Sequence, residues 1–266
     1  MLEDAVGNSK FLHGIRKYLQ EYQFRNAESR ELFEILRDSV FSAVDIVDFM
    51  NRWTRFPGFP VINIRLDNAL FRLSQRRFAI SKKFHETFDD GSWTIPIRYI
   101  TSRRDGVKLD WFLANYSCVE LILDMPVDWI KLNHDSIGYY VVNYTEDAWT
   151  AFAKLLSRDY RVLSAVNRAD LLHDAFILGE ASDLCYCVIL NLTSYLVNET
   201  SYQPWAVVTE WFGRMSRLLD GTHVHAPFQA YARHLVDRIY SKVGWRVDMK
   251  ESFKDRIGRV GVERGV

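Results

Sequence analysis

One short stretch, residues 53–62, constrains the fold of this chain more than any other. It contains Pro57 and Pro60, and proline ends a helix because it has no N–H group and its ring clashes with the preceding turn. Helix-like spacing of apolar residues leads into the stretch. The alternating spacing of a strand follows it, with Ile62 and Ile64 separated by a polar residue. The chain is therefore predicted to change from helices to strands here.

Three amphipathic helices are predicted before this stretch. Residues 9–22 carry apolar side chains on one helical face, Asn26 is predicted to cap a second helix, and Asp45 is predicted to cap a third. The apolar face of the first helix consists of Phe11, Ile15, Tyr18, Leu19 and Tyr22.

Several short strands are predicted after the stretch. Residues 93–99, 118–123 and 138–144 show the two-residue period of strands, and residues 104–106 have the composition of a turn. Strands of this length and spacing predict a small antiparallel β-sandwich.

The helical period returns near residue 146 and continues through most of the remaining chain. Apolar stripes lie within residues 149–156, 171–178, 184–197, 205–219 and 228–239. Helices begin about every 20–25 residues, so pairs of helices recur at the spacing of helical solenoids. The spacing therefore predicts a multidomain protein of helices and strands that ends in stacked helix pairs.

The charge balance argues against nucleic acid or an anionic membrane as the main partner. Lys and Arg together number 34, and so do Asp and Glu, which leaves no net field. The pairs Arg76-Arg77 and Arg103-Arg104 are isolated, and we interpret them as protection of sheet edges or as turn residues. No apolar run approaches the roughly 18–20 residues that span a bilayer, so no membrane segment is predicted.

The three cysteines, Cys118, Cys185 and Cys187, are an odd number and cannot all pair within the chain. One residue separates Cys185 from Cys187, whereas a zinc knuckle has two residues between its cysteines. We interpret all three as small buried apolar residues.

Four Asn-x-Ser/Thr sequons point toward a secretory protein, although a cytoplasmic location stays open. One of them lies in a predicted strand, where a structural role is the alternative. The sequon asparagines are Asn115, Asn143, Asn191 and Asn198, of which Asn143 is the one in the strand.

Two segments match metal sites only in part. His85 begins a near-match to the zinc helix H-E-x-x-H, but Asp89 replaces the second His and a turn follows. Asp220, His223 and His225 offer carboxylate and imidazole ligands on one loop, but nothing in the sequence holds them in a fixed geometry. We interpret both segments as ordinary loops.

Asp170, His173 and Asp174 lie close together on one predicted helix. A Ser-His-Asp triad needs a serine held on a sharp turn, and the sequence contains no G-x-S-x-G elbow. We interpret these residues as the capped, salt-bridged start of a helix. Phosphate-binding loops are also absent from the sequence, which has neither G-x-x-x-x-G-K-[ST] nor G-x-G-x-x-G.

Short phrases spread along the chain match one protein family in the same order. They lie at residues 11–19 (FLHGIRKYL), 53–54 (WT), 58–62 (GFPVI), 75–78 (QRRF), 93–96 (WTIP), 129–133 (WIKLN), 138–140 (GYY), 142–144 (VNY), 168–172 (RADLL) and 174–176 (DAF), followed by Glu199, Tyr202 and Pro204-Trp205. Together they resemble the zinc aminopeptidases of peptidase family M1, of the aminopeptidase N and puromycin-sensitive types. The resemblance covers roughly residues 1–257.

The resemblance implies three parts. Residues 1–57 resemble the last helices of a thermolysin-like catalytic domain, and residues 58–145 resemble a β-sandwich domain. Residues 146–266 resemble part of a C-terminal helical domain, which the family builds as an α-helical superhelix of stacked helix pairs. It also implies that the helical domain covers the active-site cleft and limits peptide size, while the sandwich acts as a spacer.

The departures from the family concern its catalytic parts. The sequence has no H-E-x-x-H motif and no G-x-M-E-N loop. In the family, these two motifs, the third zinc ligand and the catalytic tyrosine all precede the position that corresponds to Met1. Val141 stands where the family usually has Arg, and His173 stands where it often has Asp. The resemblance therefore implies a fragment or a truncated gene model.

We expect a C-terminal portion of an enzyme that removes N-terminal residues from peptides, itself without a zinc site and inactive alone. No catalytic, cofactor-binding or metal-ligating residue is predicted in this chain, and zinc and peptides are implied only for the full-length family. The alternative is a non-catalytic module that binds peptides or proteins on a concave solenoid face. We also expect the apolar faces of residues 1–57 to lack the partners that they have in the family.

Overall fold

The structure is a computed structural model that describes residues 1–37, 44–67, 70–80 and 91–243. The chain forms two compact units, Met1–Asn143 and Tyr144–Val266. The first unit combines helices with two small sheets, and the described part of the second is helical.

Helices precede the strands in the first unit. They are α1 (Leu2–Val6), α2 (Asn8–Glu21), α3 (Ser29–Arg37) and α4 (Ile46–Arg55). Asp45 caps α4 as predicted, because its carboxylate accepts a hydrogen bond from the Val47 N–H at 2.8 Å. The predicted cap at Asn26 is wrong. Helix α3 begins at Ser29, and the Glu31 carboxylate accepts the N–H of Glu28 just before that start.

The strands of the first unit form two sheets. The strands are β1 (Pro60–Asp67), β2 (Leu70–Arg77), β3 (Ile95–Thr101), β4 (Lys108–Phe112), β5 (Cys118–Leu121), β6 (Ile130–Leu132) and β7 (Val141–Asn143). The four-stranded sheet has the order β5-β2-β1-β7, and the three-stranded sheet has the order β4-β3-β6.

The four-stranded sheet is mixed rather than purely antiparallel. Strand β7 runs parallel to β1, with Val61 opposite Val141, while the other pairs are antiparallel. The Asn143 side-chain amide donates to the Asn63 side-chain carbonyl at 3.0 Å across this parallel pair. The sequence predicted β1, β3, β5 and β7 but missed the other three strands. Strand β2, for example, carries so many polar residues that it has no clear two-residue period.

The change from helix to strand occurs where the prolines predicted it. Helix α4 ends at Arg55, Gly58 turns with a φ of 87°, and β1 begins at Pro60. Trp53 holds this turn in place, because its indole N–H donates to the Thr94 carbonyl at 2.9 Å. Its ring also lies 6.2 Å from that of Trp93 and 6.5 Å from that of Tyr139.

Helices α1, α3 and α4 share a small hydrophobic core with the loop before α4. An ion pair between Asp4 and Arg98, at 2.6 Å, joins α1 to β3. Leu19 and Phe24 of the same segment are exposed. The expectation that residues 1–57 lack the partners that they have in the family stays a prediction. The buried members are Val6, Phe33, Leu36, Val44, Ile46 and Phe49, and Trp111 and Leu113 pack against them.

The second unit contains the predicted succession of helices. They are α5 (Glu146–Asp159), α6 (Ala165–Glu180), α7 (Tyr186–Thr193), α8 (Tyr202–Leu219) and α9 (His225–Val243), with 3₁₀ turns at Tyr160–Val162 and Ser194–Asn198. Thr145 and Ser164 cap α5 and α6 by accepting N–H groups from the first turns. Helix α6 packs on both α7 and α8, and the rings of Phe176 and Trp211 stack at 5.4 Å.

None of the helices that the structure describes is long and apolar enough to cross a membrane.

Replacing Gly138 by Ala tests the turn before β7. The Asn133 side-chain carbonyl accepts the Gly138 N–H at 2.9 Å, and a Cβ on Gly138 would overlap the buried ring of Tyr140. We expect Gly138→Ala to lower the free energy of unfolding by about 1–3 kcal/mol, as overpacking does. Urea unfolding measures the change.

Gly213→Ala is the matched control, because Gly213 lies inside α8 and a Cβ there meets only Arg217, at 3.7 Å. That variant should gain about 0.5–1 kcal/mol from helix propensity. Equal stability changes in the two variants would contradict the packing described at Gly138.

Candidate functional site

The most strongly built polar site in the described residues is a buried ion pair in the second unit. Arg168 of α6 meets Glu199, which lies just before α8, and their side chains are only 5% and 0% exposed. The Arg168 Nε donates to one Glu199 oxygen at 2.6 Å, and Nη2 donates to the other at 2.9 Å. This two-point geometry is the strongest form of such a pair.

The remaining guanidinium N–H groups of Arg168 hold the connection between α5 and α6. Nη1 donates to the backbone carbonyls of Tyr160 and Leu163, and Nη2 also donates to the Ser201 hydroxyl at 3.2 Å. The guanidinium carbon lies 4.9 Å from the centre of the Tyr160 ring, a cation–π contact. A buried charge is tolerated when its donors are satisfied in this way.

Glu199 organises the start of α8. Its carboxylate accepts the backbone N–H groups of Thr200 and Ser201, at 2.9 and 2.8 Å. Its backbone carbonyl accepts the indole N–H of Trp205 at 3.2 Å. A negative charge beside a helix N-terminus is favourable, because the exposed N–H groups there carry partial positive charge.

Tyr195 lies beside this pair, with its ring 6.3 Å from that of Tyr160. Burial, followed by the Glu199 carboxylate, raises the pKa of Tyr195 well above its usual value. The phenol therefore stays protonated at neutral pH.

The ion pair can position helices, but it cannot reach a substrate. In the sequence, Arg168 and Glu199 stand out only as parts of the family resemblance, and no pattern predicts that they pair. Helix α6 mixes polar and apolar residues, so the spacing within it does not tell which of its charges are buried.

The structure corrects the interpretation of Asp170, His173 and Asp174. They lie in the middle of α6 and not at its start, which Ser164 caps. Asp170 and Asp174 are buried, whereas the His173 side chain is 49% exposed and its Nδ1 lies 3.7 Å from the Asp174 carboxylate. The neighbouring Asp174 carboxylate raises the pKa of His173, and Asp170 adds to the effect.

The candidate metal ligands Asp220 and His223 lie before α9, His225 begins that helix, and the three do not come together as a site. His225 is 3.4 Å from the Asp220 carboxylate, and its Nε2 lies 3.1 Å from the Ser216 hydroxyl, while His223 is exposed. Within the ranges that the structure covers, no group of three or more His, Cys, Asp or Glu side chains is placed to hold a metal ion. His85 and Asp89 lie outside the described residues.

The interpretation of the cysteines as buried apolar residues is wrong. Cys185 and Cys187 are exposed at the start of α7, where a disulfide joins them, and Cys118 is a half-buried free thiol. Cys185 also acts as the N-cap of α7, because its sulfur accepts the Cys187 N–H at 3.3 Å. Two cysteines separated by one residue are too short a pattern to show from the sequence whether their side chains are buried or exposed.

The arginine pairs occupy the end of one strand and one turn. Arg76 and Arg77 end β2 beyond its pairing with β5. Among the strands that the structure describes, only β1 flanks them there, as the prediction of an edge position requires. Arg103 and Arg104 lie in the turn after β3, where Arg104 has a φ of 56°.

Arg103 also lines a depression of about 170 Å³ in the first unit. The Lys108 ammonium lies 2.7 Å from the Asp105 carboxylate in its wall. The hydrogen bond from Lys108 lowers the pKa of Asp105 below its usual value. These two opposite charges satisfy each other, so the depression offers no excess charge from this pair to a ligand.

The sequon asparagines differ in their surroundings. Asn115 and Asn191 are exposed, whereas Asn143 is engaged with the neighbouring strand and Asn198 accepts a hydrogen bond from Arg238. The structural role considered for Asn143 is therefore supported by its hydrogen bond to Asn63.

Comparison with known proteins gives matches along nearly the whole chain. A family model described as the ERAP1-like C-terminal domain matches residues 129–262. Aminopeptidase A of Gloydius brevicauda is 30% identical over 258 residues, which are 93% of this chain and 26% of that protein. Glutamyl aminopeptidase of Homo sapiens is 30% identical over 261 residues, which are 92% of this chain and 26% of that protein.

Aminopeptidase N of Homo sapiens is 28% identical over 275 residues, and the match covers 98% of this chain and 28% of that protein. The chain thus spans about a quarter of the length of the curated relatives that it matches.

Removing one partner of the buried ion pair should be costly. Arg168→Met leaves the Glu199 carboxylate buried without its counter-charge, so we expect a loss of about 3–5 kcal/mol in the free energy of unfolding. The double variant Arg168→Met with Glu199→Leu should recover most of that loss, because no lone charge remains. Urea unfolding followed by the helical circular-dichroism signal measures both.

The exposed pair Arg30–Glu34 of α3 is the control, with side chains 67% and 41% exposed. Arg30→Met should change the stability by no more than about 0.5 kcal/mol. A similarly small effect of Arg168→Met would show that the buried pair does not hold the helices together.

His173 should make the stability depend on pH in a defined direction. Its folded pKa is raised by Asp174, so its contribution is fully present below the unfolded value of about 6.5 and is lost as the pH rises through the folded pKa. Because the side chain is half exposed, we expect an effect below about 1 kcal/mol. The test compares unfolding at about pH 6 and about pH 8 in the wild type and in His173→Gln.

The variant His173→Gln should remove part of the stability gained at the lower pH. His223→Gln, which changes an exposed loop histidine, should leave that gain in place. The assignment fails if the two variants behave alike.

Proposed function

Because this chain belongs to the M1 aminopeptidase family and contains its ERAP1-like C-terminal domain, we propose that it forms the C-terminal portion of a zinc aminopeptidase that removes N-terminal residues from peptides. The observation that carries the proposal is the family match over residues 129–262, which include the five α-helices that the structure describes in the second unit. The chain's role in such an enzyme is to place surfaces around the cleft rather than to perform the reaction.

The chain by itself binds no catalytic zinc and hydrolyses no peptide under this proposal. Zinc hydrolases hold the ion with three protein ligands, and the ion acidifies a bound water that attacks the substrate. The described residues do not fit such an ion, and the sequence contains no H-E-x-x-H. We therefore assign no step of hydrolysis to a residue of this chain.

We further propose three parts within the chain, with borders near residues 57 and 145. The first border is supported by the end of α4 at Arg55 and the start of β1 at Pro60. The second is supported by the division of the chain into units between Asn143 and Tyr144. Residues 1–57 then correspond to the last helices of the catalytic domain, and residues 58–145 to the β-sandwich.

The second unit has the properties of a stiff wall for a cleft. Its helices α6 and α8 are joined by the Arg168–Glu199 pair and by the stacked rings of Phe176 and Trp211. Rigid helices keep a cleft at a constant width, so in the whole enzyme this unit would limit the size of the peptides that enter.

The test of the proposal is an activity assay on the purified chain. We expect no hydrolysis of aminoacyl-naphthylamides with added zinc, while human aminopeptidase N, assayed in parallel, turns the same substrates over. Zinc-dependent turnover by the chain that a chelator abolishes would overturn the assignment. Calorimetric titration with peptides addresses the alternative, since peptide binding without hydrolysis would favour an independent binding module.

A further inference from the structure

The disulfide between Cys185 and Cys187 lies in an open position at the start of α7. Both residues are exposed, and their Cα atoms are 5.3 Å apart, a normal distance for a disulfide. Small thiols in solution can therefore reach the bond directly. Cys118, the third cysteine, is half-buried and unpaired.

The bond closes one of the shortest loops that a disulfide can close. A disulfide stabilises a protein mainly by restricting the unfolded chain, and this effect grows with the length of the closed loop. Cys185 and Cys187 have a sequence separation of 2, so the backbone already keeps them close together in the unfolded chain. The disulfide therefore removes little further conformational freedom. It is therefore poorly suited to hold the fold together.

The two sulfurs have different surroundings. The Cys185 sulfur is the N-cap of α7 and accepts the Cys187 N–H at 3.3 Å. Helix N-termini favour negative charge, so a thiolate at Cys185 is stabilised by the helix that follows it. In thiol–disulfide exchange the sulfur that makes the more stable thiolate is the better leaving group.

We propose that Cys185 and Cys187 form a redox site that exchanges with small thiols of the glutathione class. A thiolate attacks the Cys187 sulfur, a new S–S bond forms there, and the electron pair of the broken bond goes to Cys185 as thiolate. A second small thiolate attacks the first small-thiol sulfur and releases Cys187 as thiolate. Two thiols are oxidised to one disulfide, and the protein disulfide is reduced to two thiols.

Helix α7 persists in both states of the site. The Cys185 sulfur can accept the Cys187 N–H as a thiolate as well as in the disulfide. Opening the bond therefore exposes two neighbouring thiols without unfolding the segment, and the site works whether or not the chain takes part in peptide hydrolysis.

The test equilibrates the whole chain in glutathione buffers of graded redox ratio, followed by acid quenching, maleimide labelling and mass spectrometry. We expect Cys185 and Cys187 to become labelled together, a change of two labels, within the range of the glutathione buffers. A pair that stays closed in excess reduced glutathione, or stays fully labelled in excess oxidised glutathione, would overturn the proposal. Cys118→Ser should leave the two-label change intact.

The direction of attack has its own test in two matched variants. In the Cys118→Ser background, Cys187→Ser leaves Cys185 as the single thiol, and Cys185→Ser leaves Cys187 as the single thiol. At neutral pH we expect iodoacetamide to react at least about threefold faster with Cys185 than with Cys187, because the former is more often a thiolate. Equal or reversed rates would overturn the assignment of Cys185 as the leaving group. Since both side chains are exposed, circular dichroism should show the same helix content in both variants.

Discussion

The second unit depends on keeping the charge of Arg168 buried and fully paired. Moving a guanidinium and a carboxylate out of water costs several kcal/mol for each ion, so the pair survives only if every donor and acceptor is satisfied. The partners come from the turn at Tyr160–Val162, from Leu163 and from the start of α8. Those segments are therefore restricted to the positions where they complete the network, and the helices that they join are restricted with them.

In the first unit, aromatic rings and local hydrogen bonds hold two of the connections between elements. Trp53 uses one polar group, its indole N–H, and otherwise packs against rings on either side of the turn at Gly58. The loop before β7 is held by the side-chain amide of Asn133, which donates to the carbonyls of Gly138 and Tyr140. Local hydrogen bonds of this kind fix a loop without burying a net charge.

Periodicity predicted the elements whose burial is one-sided and failed where burial depends on distant partners. The end of α4, the cap at Asp45 and the helices of the second unit follow from local spacing and turn chemistry. Local spacing does not predict the parallel pairing of β7 with β1 or the ion pair between Arg168 and Glu199, which are 31 residues apart. Both depend on tertiary packing. The disulfide was missed for a related reason, since the spacing of two cysteines says nothing about their exposure.

The distribution of charged groups bears on the proposed place of this chain in an aminopeptidase. A group that takes part in catalysis must touch the substrate or the reacting atoms, which requires that it face a cleft. Arg168 and Glu199 are closed off from solvent, and the Asp174 carboxylate is buried beside His173. Their interactions fix the position of α6 relative to α8. A helix that is fixed in this way can line a cleft while the groups that react belong to another segment. Buried charged residues that stabilise the helix packing, without reactive residues facing a cleft, are expected if residues 144–266 form one side of the cleft of an aminopeptidase.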